Sequence, residues 1–253
     1  LIGPVSPTNG DDWRGLLIDG FEQEPYVFTS YNPSHYQELL DKYGFNRKHV
    51  FLAFHFNLNE IPLSVIQERI DRVKARHGFD IRHVEFKQLK KCVNDIFTIM
   101  NTSMPVEWSY LVPPEESELM REARNLKNFT FPKFVQIAYK EDRPIGFAAV
   151  IPDYNLILKR LRGRLSPLGL TIFLLGRRKI KRGRAFLLFV IPEYQGKGVS
   201  RAILYELFRA AKEMNYTEAE GSSIDAENKK MVLEAFGAGG KIYRKFALYE
   251  MEL

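Results

Sequence analysis

The chain has little cysteine, no clustered histidine and no long apolar run, and each shortage removes a class of protein. One cysteine among 253 residues, Cys92, excludes an internal disulfide framework and suits a reduced, cytosolic setting. Cys92 falls among Leu89, Val93, Ile96 and Phe97 at helical spacing, so it reads as a buried structural thiol and not as a nucleophile. His35, His49, His55, His77 and His83 show no metal-ligand spacing with cysteine or carboxylates, so no metal is expected. No Ser–His–Asp arrangement is visible either. The chain opens at Leu1 with no charged-then-apolar leader, and is read as a fragment or a processed product without a signal peptide. A net charge of +6 suits an anionic ligand, an anionic membrane surface or nucleic acid without choosing among them. Nucleic acid is not expected as a partner, because the basic residues are not interleaved with aromatics in a recognisable module. The apolar content of 45% is ordinary and allows a sizeable core.

What is present centres on one stretch. Phe186–Ile191 is a continuous apolar run of strand length. A turn from Pro192 to Ser200 follows, with Gly196 and Gly198 on either side of Lys197. Then Ala202, Ile203, Leu204, Leu207, Phe208, Ala211 and Met214 recur at helical spacing. Buried strand, glycine turn and helix together make an anion site, because glycine lets the backbone approach a ligand and the helix start offers N–H groups at its positive end. A phosphate or pyrophosphate is the implied guest. The turn is neither G-x-x-x-x-G-K-[ST] nor G-x-G-x-x-G, since position 201 is Arg.

Around this stretch the chain reads in order. Residues 1 to 30 are loop chemistry about Leu16–Ile18, with Gly3, Pro4, Pro7, Asn9, Gly10, Gly15, Gly20 and Pro25. Asn32 and Pro33 suit a helix start, the helix runs to about Tyr43 and ends at Gly44, and Val50–Phe56 reads as a strand. The same layout returns near the other end: Asn228 opens a helix, Gly240 ends it, and Ile242–Met251 is a strand. Asn32 to Gly44 and Asn228 to Gly240 both span twelve positions, an internal repeat weak in identity but matched in layout. Between them lie a charged amphipathic helix over 59–79, a strand at Ile81–Phe86, helices at Phe86–Met104 and Pro114–Leu126, and a hairpin of Phe134–Tyr139 with Ile145–Ile151. Glu115 and Glu116 sit favourably in the first turn of their helix. The insertion over 155–182 sets an apolar segment, Leu165–Leu175, between basic flanks at 159–164 and 177–182. Eleven residues are too few to span a bilayer, which takes about twenty. They suit a segment lying on an anionic membrane surface, a cover over an apolar tunnel, or a solvated basic loop with one buried helix.

Gln195, Gly198 and Ser200 follow the Q/R-x-x-G-x-G/A spacing and resemble the pyrophosphate loop of the GNAT acyltransferases, with Ser200 in place of the usual Gly or Ala. From residue 81 onward the element order is also that of a GNAT domain, with the loop after the fourth strand. The resemblance implies an α/β (α+β) fold with a mixed, mostly antiparallel central sheet flanked by helices. The expected division is a partial N-terminal GNAT-like lobe at 1–58, a connecting helix at 59–79 and the acyltransferase domain at 80–253. It also implies acyl-CoA or acetyl-CoA as cosubstrate and a primary amine as acceptor. Phe189, Val190 and Ile191 would steady the thioester through a backbone N–H. Gln195, Gly196, Lys197, Gly198, Val199 and Ser200 would hold the pyrophosphate, and Asn228 would meet the pantetheine arm as well as cap its helix. The base is a choice among carboxylates. Glu220 leads, since burial on the cleft face would raise its pKa, while the opposite face would make it an ion-pair partner. Glu227, at a helix start, and Asp153 follow. Many GNAT enzymes carry a Tyr about seven residues after the Asn. Here the region is Glu234–Phe236, without a hydroxyl, so a non-catalytic GNAT-like module that binds lipid or protein stays open. A double-GNAT transferase using aminoacyl-tRNA is a further alternative, against which the pyrophosphate loop argues.

The phrases Gly15–Phe21, Tyr31–Pro33, Glu107–Pro113, Pro152–Asn155, Gly163–Gly169 and Ala219–Ser222 with Glu227 and Asn228 are similar to the YghO-like, double-lobed GNAT group that includes bacterial ceramide synthases. That narrower resemblance implies a long acyl donor and a lipid amine such as a sphingoid base. It implies a cytoplasmic protein with peripheral contact to the inner membrane face through 159–182.

Overall fold

The computed structural model describes residues 1–5, 14–104, 114–162, 164 and 166–252. In chain order the strands and helices are β1 (Ile2–Gly3), β2 (Leu16–Asp19), α1 (Tyr36–Lys42), β3 (Asn46–Asn57), α2 (Leu63–His77), β4 (Asp80–His83), α3 (Leu89–Ser103), α4 (Glu116–Leu126), β5 (Val135–Lys140), β6 (Arg143–Pro152), α5 (Asn155–Leu161), α6 (Pro167–Gly176), β7 (Arg182–Val190), α7 (Val199–Glu213), β8 (Glu218–Asp225), α8 (Lys229–Gly237) and β9 (Lys241–Glu250). The order strand, helix, helix, hairpin, insertion, strand, glycine turn, helix, strand, helix, strand is the expected one. The fold is α/β, with largely antiparallel sheet flanked by helices. The phrase Glu107–Pro113, Pro7, Asn9, Gly10, Gly163 and Leu165 lie outside the described residues.

The chain forms two compact units. The first unites Leu1–Asn57, Pro152–Arg184 and Tyr216–Leu253. Its strands run β1-β9-β3-β8 across the sheet, with β2 also on β9. β3 pairs antiparallel with both β8 and β9, in registers such as Phe54↔Gly221 and Phe51↔Phe246. The crossover β8–α8–β9 therefore yields two strands of the same direction, and a segment about 170 positions away in sequence fills the place between them. The strands of the two matched helix–strand layouts, β3 and β9, are direct neighbours. Phe51, Phe54, Phe246 and Tyr249 are fully buried here, and truncating such an aromatic to alanine costs roughly 3–5 kcal/mol.

The second unit unites Leu58–Ile151 with Ala185–Asn215. β5 pairs antiparallel with β4 and β6. Ile99 of α3, Ile137 of β5, Ile145 and Phe147 of β6 and Ala202 and Ile203 of α7 share one apolar core. α7 buries Val199, Ala202, Ile203, Leu207, Phe208, Ala210 and Ala211, the spacing its sequence shows. It also buries Glu206, whose carboxylate accepts from Lys74 of α2 and from Arg209, each at 2.6 Å. Burial alone would raise this carboxyl's pKa, and the two cationic donors outweigh it and lower the value.

Several local readings change. Asn32 does not cap a helix. Its Oδ1 accepts from the Leu17 N–H at 2.8 Å and its Nδ2 donates to the Leu17 C=O at 3.2 Å, so it closes the open edge of β2, and α1 begins only at Tyr36. α2 starts at Leu63, after Pro62. Glu115 caps α4 in a capping box with Glu118. The strand expected from Phe186 begins four residues earlier, because Arg182 and Arg184 enter it with buried partners.

Candidate functional site

The second unit carries the glycine turn. β7 ends at Val190, a single turn of 3-10 helix covers Pro192–Tyr194, and α7 starts at Val199. Gln195 folds back, its Nε2 donating to the Val190 C=O at 3.0 Å. Gly196 and Gly198 hold φ of 73° and 80°, a region where an L side chain is strained. A Cβ on Gly196 would meet nothing within 4 Å, so the backbone there faces open space. A Cβ on Gly198 would lie 2.9 Å from a Val73 methyl of α2. Gly198 is therefore needed for packing inside the unit, and the approach to the backbone is at Gly196. Gly198 is the N-cap of α7 without a side-chain cap, its C=O accepts from the Ala202 N–H at 3.0 Å, and the helix start turns its positive end toward the turn. Gln195, Gly196 and Lys197 are exposed, and the Lys197 ammonium lies 4.9 Å from the Tyr194 ring centre. The residues fit a pyrophosphate: backbone amides at a positive helix end, one cation, and no side chain over Gly196.

The three strand residues separate by edge. Ile191 donates its N–H to the Ile145 C=O at 3.0 Å. Backbone groups of alternate residues leave an extended strand by opposite edges. Ile191 and Phe189 therefore face β6, and the Val190 N–H is the one turned the other way. Phe189 stacks on Phe147 with ring centres 5.8 Å apart.

The first unit carries a buried charged cluster. Glu220, on β8, is fully buried. One carboxylate oxygen accepts from the Ser222 hydroxyl and the other from the Tyr243 hydroxyl of β9. Arg184 Nε lies 3.5 Å from Glu220 Oε1 and donates to Ser222 Oγ at 3.0 Å, while its Nη1 donates to the carbonyls of Val27 and Phe28, each at 3.1 Å. Burial, then the Glu220 charge, pushes the Tyr243 hydroxyl well above the usual tyrosine range. Tyr26 is shifted the same way by the same causes, and its ring meets that of Tyr243 edge-on at 6.4 Å. Arg244, beside Tyr243 in sequence and fully buried, donates Nη1 to Thr29 Oγ1 at 3.4 Å and lies over the Phe246 ring.

The other two carboxylates are placed differently. Asp153 is fully buried and accepts from the N–H groups of Val27 (3.0 Å) and Asn155 (3.2 Å) and from Arg182 Nε (2.6 Å). Burial pushes its pKa up against the pull of Arg182. Three donors make it an anchor for the 25–28 loop and the start of α5. Glu227 is exposed just before α8, and its N–H donates to Asp225 at 2.8 Å. Asn228 caps α8, accepting from the Met231 N–H at 3.2 Å. Phe236 is half-exposed against Phe54. Cys92 is buried, and burial raises its thiol pKa. Sequence reasoning missed Arg184, Tyr243 and Tyr26. The first lies just past the basic flank at 177–182, and the tyrosines gave no signal beyond strand alternation.

α6 shows its apolar residues to the outside. Leu168, Leu170, Ile172, Leu174 and Leu175 are all exposed, Leu168 to 71%, which removes the reading of a solvated loop with one buried helix. Phe173 holds the helix down by stacking on Tyr154 at 5.3 Å. Among the described residues no helix is long and apolar enough to cross a membrane.

Comparison with known proteins follows the same lines. The model of the acetyltransferase (GNAT) family matches residues 93–232. The bacterial ceramide synthase of Caulobacter vibrioides is 24% identical over 259 residues and protein YghO of Escherichia coli 25% over 263, each aligned along the whole of this chain. The chain spans 66% of the length of both relatives. Among solved structures, the GCN5-related N-acetyltransferase from Sphaerobacter thermophilus superposes with a TM-score of 0.56 at 11% identity, over 86% of this chain and 56% of that one, a likeness of fold.

Proposed function

Because the chain belongs to the GNAT acetyltransferase family, we propose that it transfers an acyl group from coenzyme A to a primary amine. The observation that carries this is the turn at 195–200: two left-handed glycines, open space over Gly196, and an uncapped helix start. Coenzyme A supplies the activated thioester. The amides of Gly196, Gly198 and Val199, with the Lys197 ammonium, hold its pyrophosphate, beside Ser200. The Val190 N–H, the one of its three that is not turned to β6, donates to the thioester oxygen as charge develops there. Asn228 keeps its cap and meets the pantetheine arm.

Glu220 is assigned the base. It is fully buried, so it takes a proton through Tyr243, which is half-buried and donates to it. The amine gives its proton to the Tyr243 oxygen as the Tyr243 proton passes to Glu220. Asp153 is set aside because its three donors occupy it, and Glu227 because an exposed carboxylate at a helix start needs no further role. A thiolate leaves near neutral pH without a dedicated acid. Isothermal titration tests the reading: wild-type protein binds coenzyme A, Gly196→Val loses at least tenfold in affinity, and absence of binding at millimolar concentration overturns it.

The acceptor is assigned to the lipid amines, and the donor to long acyl chains. This rests on the resemblance to a bacterial ceramide synthase and on α6. Residues 155–182 hold no acidic residue, and Arg160, Arg162, Arg164, Arg177, Arg178, Lys179 and Lys181 flank α6, whereas Lys159 pairs with Glu24 and Arg182 with Asp153. An exposed apolar helix with such flanks lies on an anionic bilayer. Co-sedimentation with vesicles should require anionic lipid and fall when Leu170 and Leu174 become Ser. Equal binding to neutral vesicles sinks the membrane contact. A second reading, a module that binds acyl-CoA without turnover, draws on Phe236, and binding without transfer to any amine would favour it.

A further inference from the structure

A cavity of about 100 Å³ lies inside the second unit, between α3, α4 and the sheet. Cys92, Val93 and Ile96 of α3 form one wall, and Leu119 and Ala123 of α4 another. Ala149 of β6 and Phe186 and Leu187 of β7 form the floor. The exposed surface of these walls is wholly apolar, and Glu122 and Lys127 contribute only their aliphatic stems. α4 buries none of its residues fully. Its apolar positions Leu119, Ala123 and Leu126 stay half-exposed although α3 turns its own apolar stripe toward them. Cores are normally packed without gaps of this size, and an apolar gap favours an apolar guest over water.

β7 runs from the cavity floor at Phe186 and Leu187 toward Val190, where the reading above puts the thioester. Leu187 lines the cavity and Val190 follows three residues later, about 10 Å along an extended strand. From the Val190 amide an acetyl group stops well short of Leu187, whereas a long hydrocarbon running back along β7 reaches the gap. A volume of 100 Å³ is below the roughly 150 Å³ that takes a benzene. It therefore holds one segment of a chain.

We propose that the cavity between α3 and α4 binds a methylene segment of the donor's long acyl chain, and so sets preference for long over short acyl-CoA. This rests on the coenzyme A reading above. The gap is closed by Ala123→Phe from the α4 side and, separately, by Ala149→Leu from the floor, with thermal melting to confirm that each variant folds. Titrations use acetyl-CoA and hexadecanoyl-CoA, the latter below its micelle-forming concentration. The wild type should bind hexadecanoyl-CoA at least tenfold more tightly than acetyl-CoA. Either folded variant should lose most of that advantage while keeping its affinity for acetyl-CoA. If both variants fold and keep the full advantage, or if the wild type shows none, the cavity assignment is wrong while the coenzyme A site stands. A loss seen only in the KM for a long-chain amine moves the cavity to the acceptor and overturns the donor assignment. Failure of the wild type to bind either thioester removes the coenzyme A reading itself.

Discussion

The two compact units solve the same problem, covering sheet, with different chemistry. The second fills its interior with Ile99, Ile137, Ile145, Phe147 and Ile203 and leaves its function to backbone, at the amides and glycines of 195–200. The first places Arg184, Glu220, Asp153 and Arg244 out of solvent and links each to a partner at 3.5 Å or less. Apolar burial tolerates change in proportion to volume. Buried charge tolerates almost none, because losing one partner leaves the other uncompensated. The difference teaches where each unit is vulnerable: one through geometry at two glycines, the other through single side-chain atoms.

The sharpest way to break this contrast is Glu220→Ala. It leaves the Arg184 guanidinium buried without its carboxylate, and should cost about 3–5 kcal/mol in denaturant unfolding. A loss under 1 kcal/mol would mean that the cluster is not a stabilising network. Tyr243→Phe removes one charge-assisted hydrogen bond and should cost roughly 1.5–3 kcal/mol. As the proton's route to Glu220 it should also slow acyl transfer about 10²-fold with coenzyme A affinity unchanged. An undiminished rate removes the relay.

On the other side of the comparison, Gly196→Ala and Gly198→Ala carry the same backbone strain, about 1–2 kcal/mol. Gly198→Ala should lower the melting temperature further, since its Cβ meets Val73. Combining it with Val73→Ala isolates that contact as a coupling, and a coupling of zero argues against the geometry. The smallest effect is electrostatic. Glu206 has a folded-state pKa below its unfolded value, so its contribution is fully present above the unfolded carboxyl value of about 4.3. It is lost as pH falls through the lower folded value. The stability gap between wild type and Glu206→Gln should be full at pH 7 and close in acid. A gap that persists below both values would show that Lys74 and Arg209 act by packing alone.

Legibility followed locality. The apolar run at 186–191, the spacing of α7 and the glycines of the turn are local patterns, and each lies where its period placed it. α6 was recognised as an apolar segment with basic flanks, but its exposure was not recognisable, because periodicity does not distinguish a fully apolar helix that is buried from one that is bare. Arg182 read as the end of the basic flank at 177–182, and Arg184 gave no signal of its own. Asp153 and Glu220, far along the chain, turned them into interior residues of β7. Asn32 carried the signature of a helix cap and served instead as a mimic of a strand edge for Leu17.

By itself the sequence determined the succession of elements, the apolar faces that drive them together, and the glycine turn at 195–200, since these depend on propensity, period and φ. Only the tertiary structure decided that β3 would enter between β8 and β9, that Gly196 and not Gly198 would face open space, and that Tyr243, Ser222 and Arg184 would close around Glu220. Apart from Ser222, two positions from Glu220, those partners come from other elements, 23 positions away for Tyr243 and more than a hundred for β3, and no local preference of the chain encodes such pairings.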